Sequence, residues 1–249
     1  MIAFPNRPLA RAVALAAIAS LPAPLLAQGL SPVPEDARNA ALSRVDPAEA
    51  VLVLVDYTDG LYPVVDTIDV DEMLNNAVAL AKIAESHDMP IMVLGDEGGF
   101  YGRMHPAIKS FAEGEGQPFT RTTPSAWQSG AFREALEATG RTQVLIGGIS
   151  TDNCTFLTSL DLLRAGYDVY VVSDIGGSDS AQAEEAALMR LRDAGAATAN
   201  WIMLGSELLD TWDTPQGKAL GQIYATHING PNTSVYGNTI NDATVGEES

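Results

Sequence analysis

The chain has 249 residues, a formal net charge of -18 and a sequence pI near 4.3. That length suits one α/β domain with extra segments at its ends, and so acidic a chain is a poor partner for nucleic acid or an anionic membrane. A single cysteine excludes an internal disulfide.

The first 27 residues read as a secretory signal. Arg7 and Arg11 supply a basic start, Ala12 to Leu21 is an apolar run too short to span a bilayer, and Ala27 offers a small residue for cleavage. Its removal takes away two arginines and no acid, so the formal charge moves from -18 to -20. The expectation is an exported protein, periplasmic or secreted, with no membrane contact once the signal is gone. Residues 28–47, rich in Pro, Ala and polar groups, read as a leader, residues 48–212 as the folded domain, and residues 213–249 as a partly irregular extension.

Within the domain, Ala50 to Val55 is an unbroken apolar run ending at Asp56, the pattern of a strand buried on both faces. Asp71 to His87 carries a helical apolar stripe through Met73, Leu74, Ala77, Leu80, Ala81 and Ala84. Pro90 to Leu94 predicts a second strand, and the glycine-rich stretch from Gly95 to Gly116 a long loop with one helix near His105 to Phe111. Phe119 to Arg121 is a short extended piece, and Gly130 to Thr139 a helix closed by Gly140.

Gln143 to Gly148 then reads as a buried strand, with two glycines releasing the backbone into a bend before Cys154. Cys154 to Ala165 is predicted helical, Tyr167 to Asp174 a strand, Ser180 to Ala194 a helix, and Ala196 to Met203 the last strand. Beyond Asp213 only Lys218 to Tyr224 has helical character. Alternating strands and helices predict a doubly wound, mostly parallel six-stranded α/β sheet with helices on both faces.

A lone cysteine is most often a small buried hydrophobe. At a strand-to-helix corner, however, a thiol meets unpaired backbone N–H groups and the positive end of the helix dipole, which favour the thiolate. In open α/β sheets the ligand crevice lies beyond the carboxyl ends of the strands, and Asp56, Arg121 and Cys154 all follow such ends. Together they would make a nucleophilic site: the cation stabilises the thiolate, the carboxylate takes its proton, and sulfur attacks an electrophilic carbon.

The ordered set Val51-Leu52-Val53-Leu54-Val55-Asp56, Arg121 with Ser125-Ala126-Trp127, and Gly148-Ile149-Ser150-Thr151-Asp152-Asn153-Cys154 resembles the isochorismatase-like cysteine hydrolase superfamily, most closely its YcaC-like branch. Gly166 to Asp174, Arg190 with Ala194-Gly195-Ala196, and Glu207-Leu208 with Trp212 extend the likeness from about Ala50 to Trp212. The resemblance implies a catalytic triad of Asp56, Arg121 and Cys154, a cis peptide between Ile149 and Ser150, and an oxyanion hole from the Ser150 and Cys154 backbone N–H groups. Thr58, Trp127 and Phe156 become candidate pocket residues. Most of the superfamily carries lysine where this chain has Arg121, and arginine does not readily give up a proton, so the base role falls to Asp56.

Metal-binding members carry an Asp-x-His pair after the second strand, whereas this chain has Gly95-Asp96-Glu97-Gly98 there. No catalytic metal and no cofactor are expected. The implied activity is hydrolysis of an amide-type C–N bond in a small molecule through a covalent thioester. The family's habit of assembly predicts a homo-oligomer. The rival expectation is a binding or scaffold protein on the same fold with little or no catalysis, which arginine at position 121 and threonine at position 58 would favour. A redox role is disfavoured by the lack of a second, resolving cysteine.

Overall fold

The structure is a computed structural model and describes residues 44–228. The signal reading at 1–27, most of the leader, and the tail from 229 onward lie outside the described residues. Five parallel strands form the sheet: β1 (Ala50–Val55), β2 (Ile91–Leu94), β3 (Gln143–Gly148), β4 (Asp168–Val172) and β5 (Ala197–Ala199), in the order β2-β1-β3-β4-β5. The order reverses between β1 and β3, which is the topological switch point where such folds bind ligands.

The apolar run of β1 is explained by its position. All six residues have no exposure, and they alternate between two cores. Ala50, Leu52 and Leu54 face one side, where helices α1 (Val70–Ser86), α6 (Trp201–Glu207) and α7 (Pro215–His227) pack. Val51, Val53 and Val55 face the other, with α3 (Gly130–Ala138), α4 (Phe156–Arg164) and α5 (Ala181–Asp193). The remaining helix, α2 (Pro106–Lys109), is a single turn in the loop after β2. Among the described residues, no helix is long and apolar enough to cross a membrane.

Three predicted elements differ. The sheet has five named strands rather than six, because Phe119 makes only an isolated parallel bridge to Leu94 at the β2 edge. Its N–H donates to the Val93 carbonyl at 2.9 Å and its carbonyl accepts from Gly95 at 3.1 Å. The final strand stops at Ala199, since Asn200 caps a helix by accepting from the Met203 N–H at 2.7 Å. That cap turns the apolar run Trp201-Ile202-Met203-Leu204 from strand into helix.

The third difference lies at the C-terminal side. The helix expected over Lys218 to Tyr224 runs from Pro215 to His227, with Thr214 capping it by accepting from the Gly217 N–H at 3.0 Å. Leu220 is fully buried in the α1 core, and the Asn75 side-chain amide donates to the His227 carbonyl at 2.9 Å. A boundary at residue 212 therefore falls ahead of a helix that belongs to the same core.

β1 and β3 are in register from Ala50↔Gln143 to Val55↔Gly148. At Gly148, with φ of 140°, a Cβ would lie 2.0 Å from the Val55 carbonyl oxygen, so only glycine allows the two strand ends to touch. Gly148→Ala is expected to cost several kcal/mol, about 3 or more, through a backbone clash that no side-chain rotation relieves. Chemical denaturation against the parent protein measures this, and an unchanged midpoint would contradict it.

Candidate active site

The ends of β1 and β3 meet at the switch point, and the chain beyond the Phe119 bridge reaches the same corner. Asp56 follows β1, its N–H donating to the Leu94 carbonyl at 2.9 Å. It adopts φ of 60°, an uncommon left-handed conformation for a non-glycine residue. Such a backbone persists only where surrounding contacts impose it, and here the next N–H but one, from Thr58, returns to the Asp56 carbonyl at 2.9 Å. Arg121 follows the Phe119 bridge. Cys154 lies in a π-helical turn, Thr151–Thr155, between β3 and α4, and such turns recur at functional sites.

Arg121 and Asp56 form a two-pronged ion pair, with one arm, Nη1 to Oδ1, at 2.8 Å and the other closing Nη2 on Oδ2. Both side chains are only 5% exposed. Burial by itself would favour losing the arginine charge, but the Asp56 carboxylate, and to a lesser degree Cys154, hold it firmly protonated. The thiol lies within hydrogen-bonding reach of both members of the pair.

The thiol differs from the sequence expectation of a standing thiolate. Burial, then the Asp56 charge, push it up to about 11, and the Arg121 charge only partly offsets them. The physical reason is the pairing itself: a guanidinium already shared with a carboxylate has little field left for sulfur. At pH 7 the thiol is held overwhelmingly in its protonated form. Alkylation of the native protein by iodoacetamide is therefore expected to be slower than that of free cysteine at pH 7 and to rise about tenfold per pH unit toward pH 11. A plateau below pH 8 would show a depressed thiol instead.

The Ile149–Ser150 peptide is cis. The Ser150 carbonyl accepts from the Asn153 and Thr155 N–H groups at 3.3 and 3.2 Å, while the Ser150 N–H donates to no acceptor among the described residues, and the Cys154 N–H makes no bond outside its own turn. Both donors belong to residues that line a cleft of about 620 Å³, together with Asp56 and Arg121. Leu61, Val64, Phe100 and Tyr101 line it as well.

The three candidate pocket residues sit elsewhere. Thr58 has no exposure and pairs with Met104 in an antiparallel bridge. Trp127 packs edge-on against Tyr167 at 5.7 Å in the core around α4, and Phe156 lies under the Arg190 guanidinium at 5.1 Å. Closeness in sequence to a site residue misplaces them: two residues along a helix turn Phe156 to the face opposite Cys154, and the left-handed backbone at Asp56 breaks the strand alternation that would set Thr58 on its side. Two supporting residues are absent from the sequence-derived site. Thr158 donates to the Cys154 carbonyl at 2.7 Å and accepts from the Ala126 N–H at 2.9 Å, and Asp161 accepts from Ser125 Oγ at 2.7 Å. They tie the Ser125-Ala126-Trp127 segment to the helix that carries the cysteine; their i+4 and i+7 spacing from Cys154 was the available signal. No group of three or more His, Cys, Asp or Glu among the described residues is placed to hold a metal ion.

The fold and this corner define a class: doubly wound α/β proteins that present a thiol, a carboxylate and a cation together at the switch point of the sheet. Within it, the isochorismatase domain matches residues 50–203, and the chain belongs to the isochorismatase family. It is YcaC-like: it is 31% identical over 188 residues to "Probable hydrolase YcaC" of Escherichia coli (strain K12), covering 74% of this chain and 89% of that protein. It is also 29% identical over 188 residues to isochorismatase domain-containing protein 2A of Mus musculus, covering 75% and 88%. Among solved structures, YcaC from Pseudomonas aeruginosa with hexane-2,5-diol and covalent acrylamide superposes with a TM-score of 0.72 at 31% identity, covering 82% of this chain and 98% of that one. The Escherichia coli YcaC structure, described as an octameric hydrolase of unknown specificity, gives 0.71 at 28% identity, covering 81% and 97%.

Proposed function

We propose that this isochorismatase-family hydrolase uses Cys154 as a nucleophile against an amide-type carbonyl of a small molecule. The observation that carries the reading is the convergence of Cys154, Asp56 and Arg121 on one cleft, with the thiol in reach of both partners. In the resting site the thiol is protonated. As the substrate carbonyl docks, Asp56 takes the proton, sulfur attacks the carbon, and Arg121, released from part of its ion pair, faces the charge that develops. The Ser150 and Cys154 N–H groups receive the oxyanion. The protonated Asp56 then returns its proton to the leaving amine, and water cleaves the thioester with Asp56 again as base.

Two observations on relatives support this reading. The Pseudomonas aeruginosa YcaC structure holds covalent acrylamide, an electrophile that thiols attack at its vinyl carbon, which supports a reactive nucleophile rather than the amide specificity. The Escherichia coli YcaC structure is an octamer, and a homo-oligomer is the proposal for this chain as well. Export, as read from the first 27 residues, is the proposal for location. Cell fractionation with N-terminal sequencing tests it, and protein confined to the cytoplasmic fraction with Met1 intact would overturn it.

The test of function is ammonia release from a panel of small primary amides, with intact-mass detection of the acyl-enzyme. Turnover together with a transient mass increase on Cys154 is expected. A binding or scaffold role predicts neither, and the absence of both across the panel overturns the proposal.

A further inference from the structure

The cleft carries more carboxylates than its candidate catalytic centre alone requires, and the ligand assigned to it rests on the reading of that centre as a site for a carbonyl. Four carboxylates line it, Asp56, Asp96, Asp152 and Asp179, against one cation, Arg121. Asp56 engages that cation through both of its oxygens. Asp96, Asp152 and Asp179 make no ion pair or side-chain hydrogen bond among the described residues, and the nearby cations Arg103 and Lys109 are held by Asp59 and Glu97. The cleft thus carries uncompensated negative charge in a concave wall, where field lines concentrate.

Two further observations point to a ligand with a polar acceptor inside and a positive end outside. The inner wall offers unused donors: the Nε–H of Arg121, on a side chain 5% exposed, has no acceptor, and neither has the Ser150 N–H. The outer wall offers aromatic faces: Phe100 is 72% exposed and Tyr101 39%, their rings edge-to-face at 5.7 Å. Exposed aromatic faces beside carboxylates attract ammonium and guanidinium groups. Among the residues lining the cleft, no free cation remains to receive a carboxylate or phosphate.

From this arrangement we infer that the substrate is a small cationic amide, with the scissile carbonyl at Cys154 and an ammonium or guanidinium group among Asp96, Asp152, Asp179 and the Phe100–Tyr101 rim. The same wall turns anionic amides away.

Two measurements on the full-length protein test it. The first compares kcat/KM for 5-aminopentanamide, its uncharged isostere hexanamide and the anionic glutaramate. A preference of tenfold or more for the cation over the isostere is expected, with glutaramate slowest. The second does not depend on turnover. Cys154 is modified with a trimethylammonium methanethiosulfonate and with a sulfonate methanethiosulfonate, each rate divided by its rate on free cysteine. The normalised ratio is expected to favour the cationic reagent by about tenfold at low salt and to fall about threefold in Asp152→Asn, Asp179→Asn or Asp96→Asn. A normalised ratio of one or below, no modification by the cationic reagent, or a ratio that ignores all three substitutions overturns the inference. If the ratio holds but no amide is hydrolysed, the catalytic reading fails and the cationic pocket stands.

Discussion

Replacing Cys154 with alanine is expected to lower amide turnover by about 10⁴-fold or more while leaving the protein folded. Removing the nucleophile from a unit that acts together forfeits nearly all of its contribution at once. The thiol is only partly buried, at the margin of the core around α4, so its loss changes stability by about 1 kcal/mol at most. Cys154→Ser tests the chemistry more finely. A hydroxyl is a poorer nucleophile than a thiol and harder to deprotonate, so the serine variant is expected to fall close to the alanine one. Because the chain has one cysteine, thiol labelling and acyl-enzyme mass must both vanish in the alanine variant. Retention of more than a tenth of the activity in Cys154→Ala would remove the nucleophile from the mechanism.

Asp56→Asn is expected to move two readouts in opposite directions. Hydrolysis should fall by about 10³-fold, since the base that takes the thiol proton is gone. Alkylation of Cys154 at neutral pH should instead speed up, by about tenfold or more. The sign follows from the causes of the raised thiol: burial comes first and is unchanged, the Asp56 charge and its hydrogen bond push the pKa up, and Arg121 pulls it down. With asparagine in place, the upward push of the carboxylate is lost and the guanidinium turns its full charge toward sulfur, which favours the thiolate. The variant should also be less stable by about 3 kcal/mol, because a buried cation loses its counter-charge. Iodoacetamide kinetics, amide turnover and urea denaturation read the three effects separately. A purely structural role for Asp56 would slow both reactions together, and that result would sink the assignment.

Burial decides which parts of this molecule are legible in its sequence. Val51 to Val55 is an unbroken apolar run rich in β-branched valine, the pattern of a strand covered on both faces, so the place of Asp56 at its end is readable without a structure. The bend at Gly147 and Gly148 announces the corner of Cys154 in the same way. The run from Trp201 to Leu204 is apolar enough for a strand, and only the capping oxygen of Asn200 decides for a helix. The raised thiol is out of reach, because the Arg121–Asp56 pair that weakens the arginine field is a contact between segments 65 residues apart. The cleft wall is equally hidden. Phe100 and Tyr101 reach it through a loop whose course depends on Gly102, with φ of 72° and a virtual Cβ 1.8 Å from the Asp59 carboxylate.

The register that joins Val55 to Gly148 has a consequence for how this protein can change over evolutionary time. Asp56 and the Cys154 corner are carried by neighbouring central strands, so their spacing is inherited with the sheet. The aromatic rim and Asp96 belong to a separate loop, pinned to the segment after β1 where Asp59 and Gly60 bond to Arg103 and Tyr101. That loop ends at Gln117, whose side chain accepts from the Val93 N–H at 2.7 Å and re-anchors the chain before Arg121. Insertions or exchanges between Gly95 and Gly116 can therefore reshape that part of the cleft while Asp56 and Cys154 keep their spacing. The spacing of Asp56 and Cys154 thus belongs to the frame, while one part of the cleft wall, Asp96 with Phe100 and Tyr101, belongs to the loop.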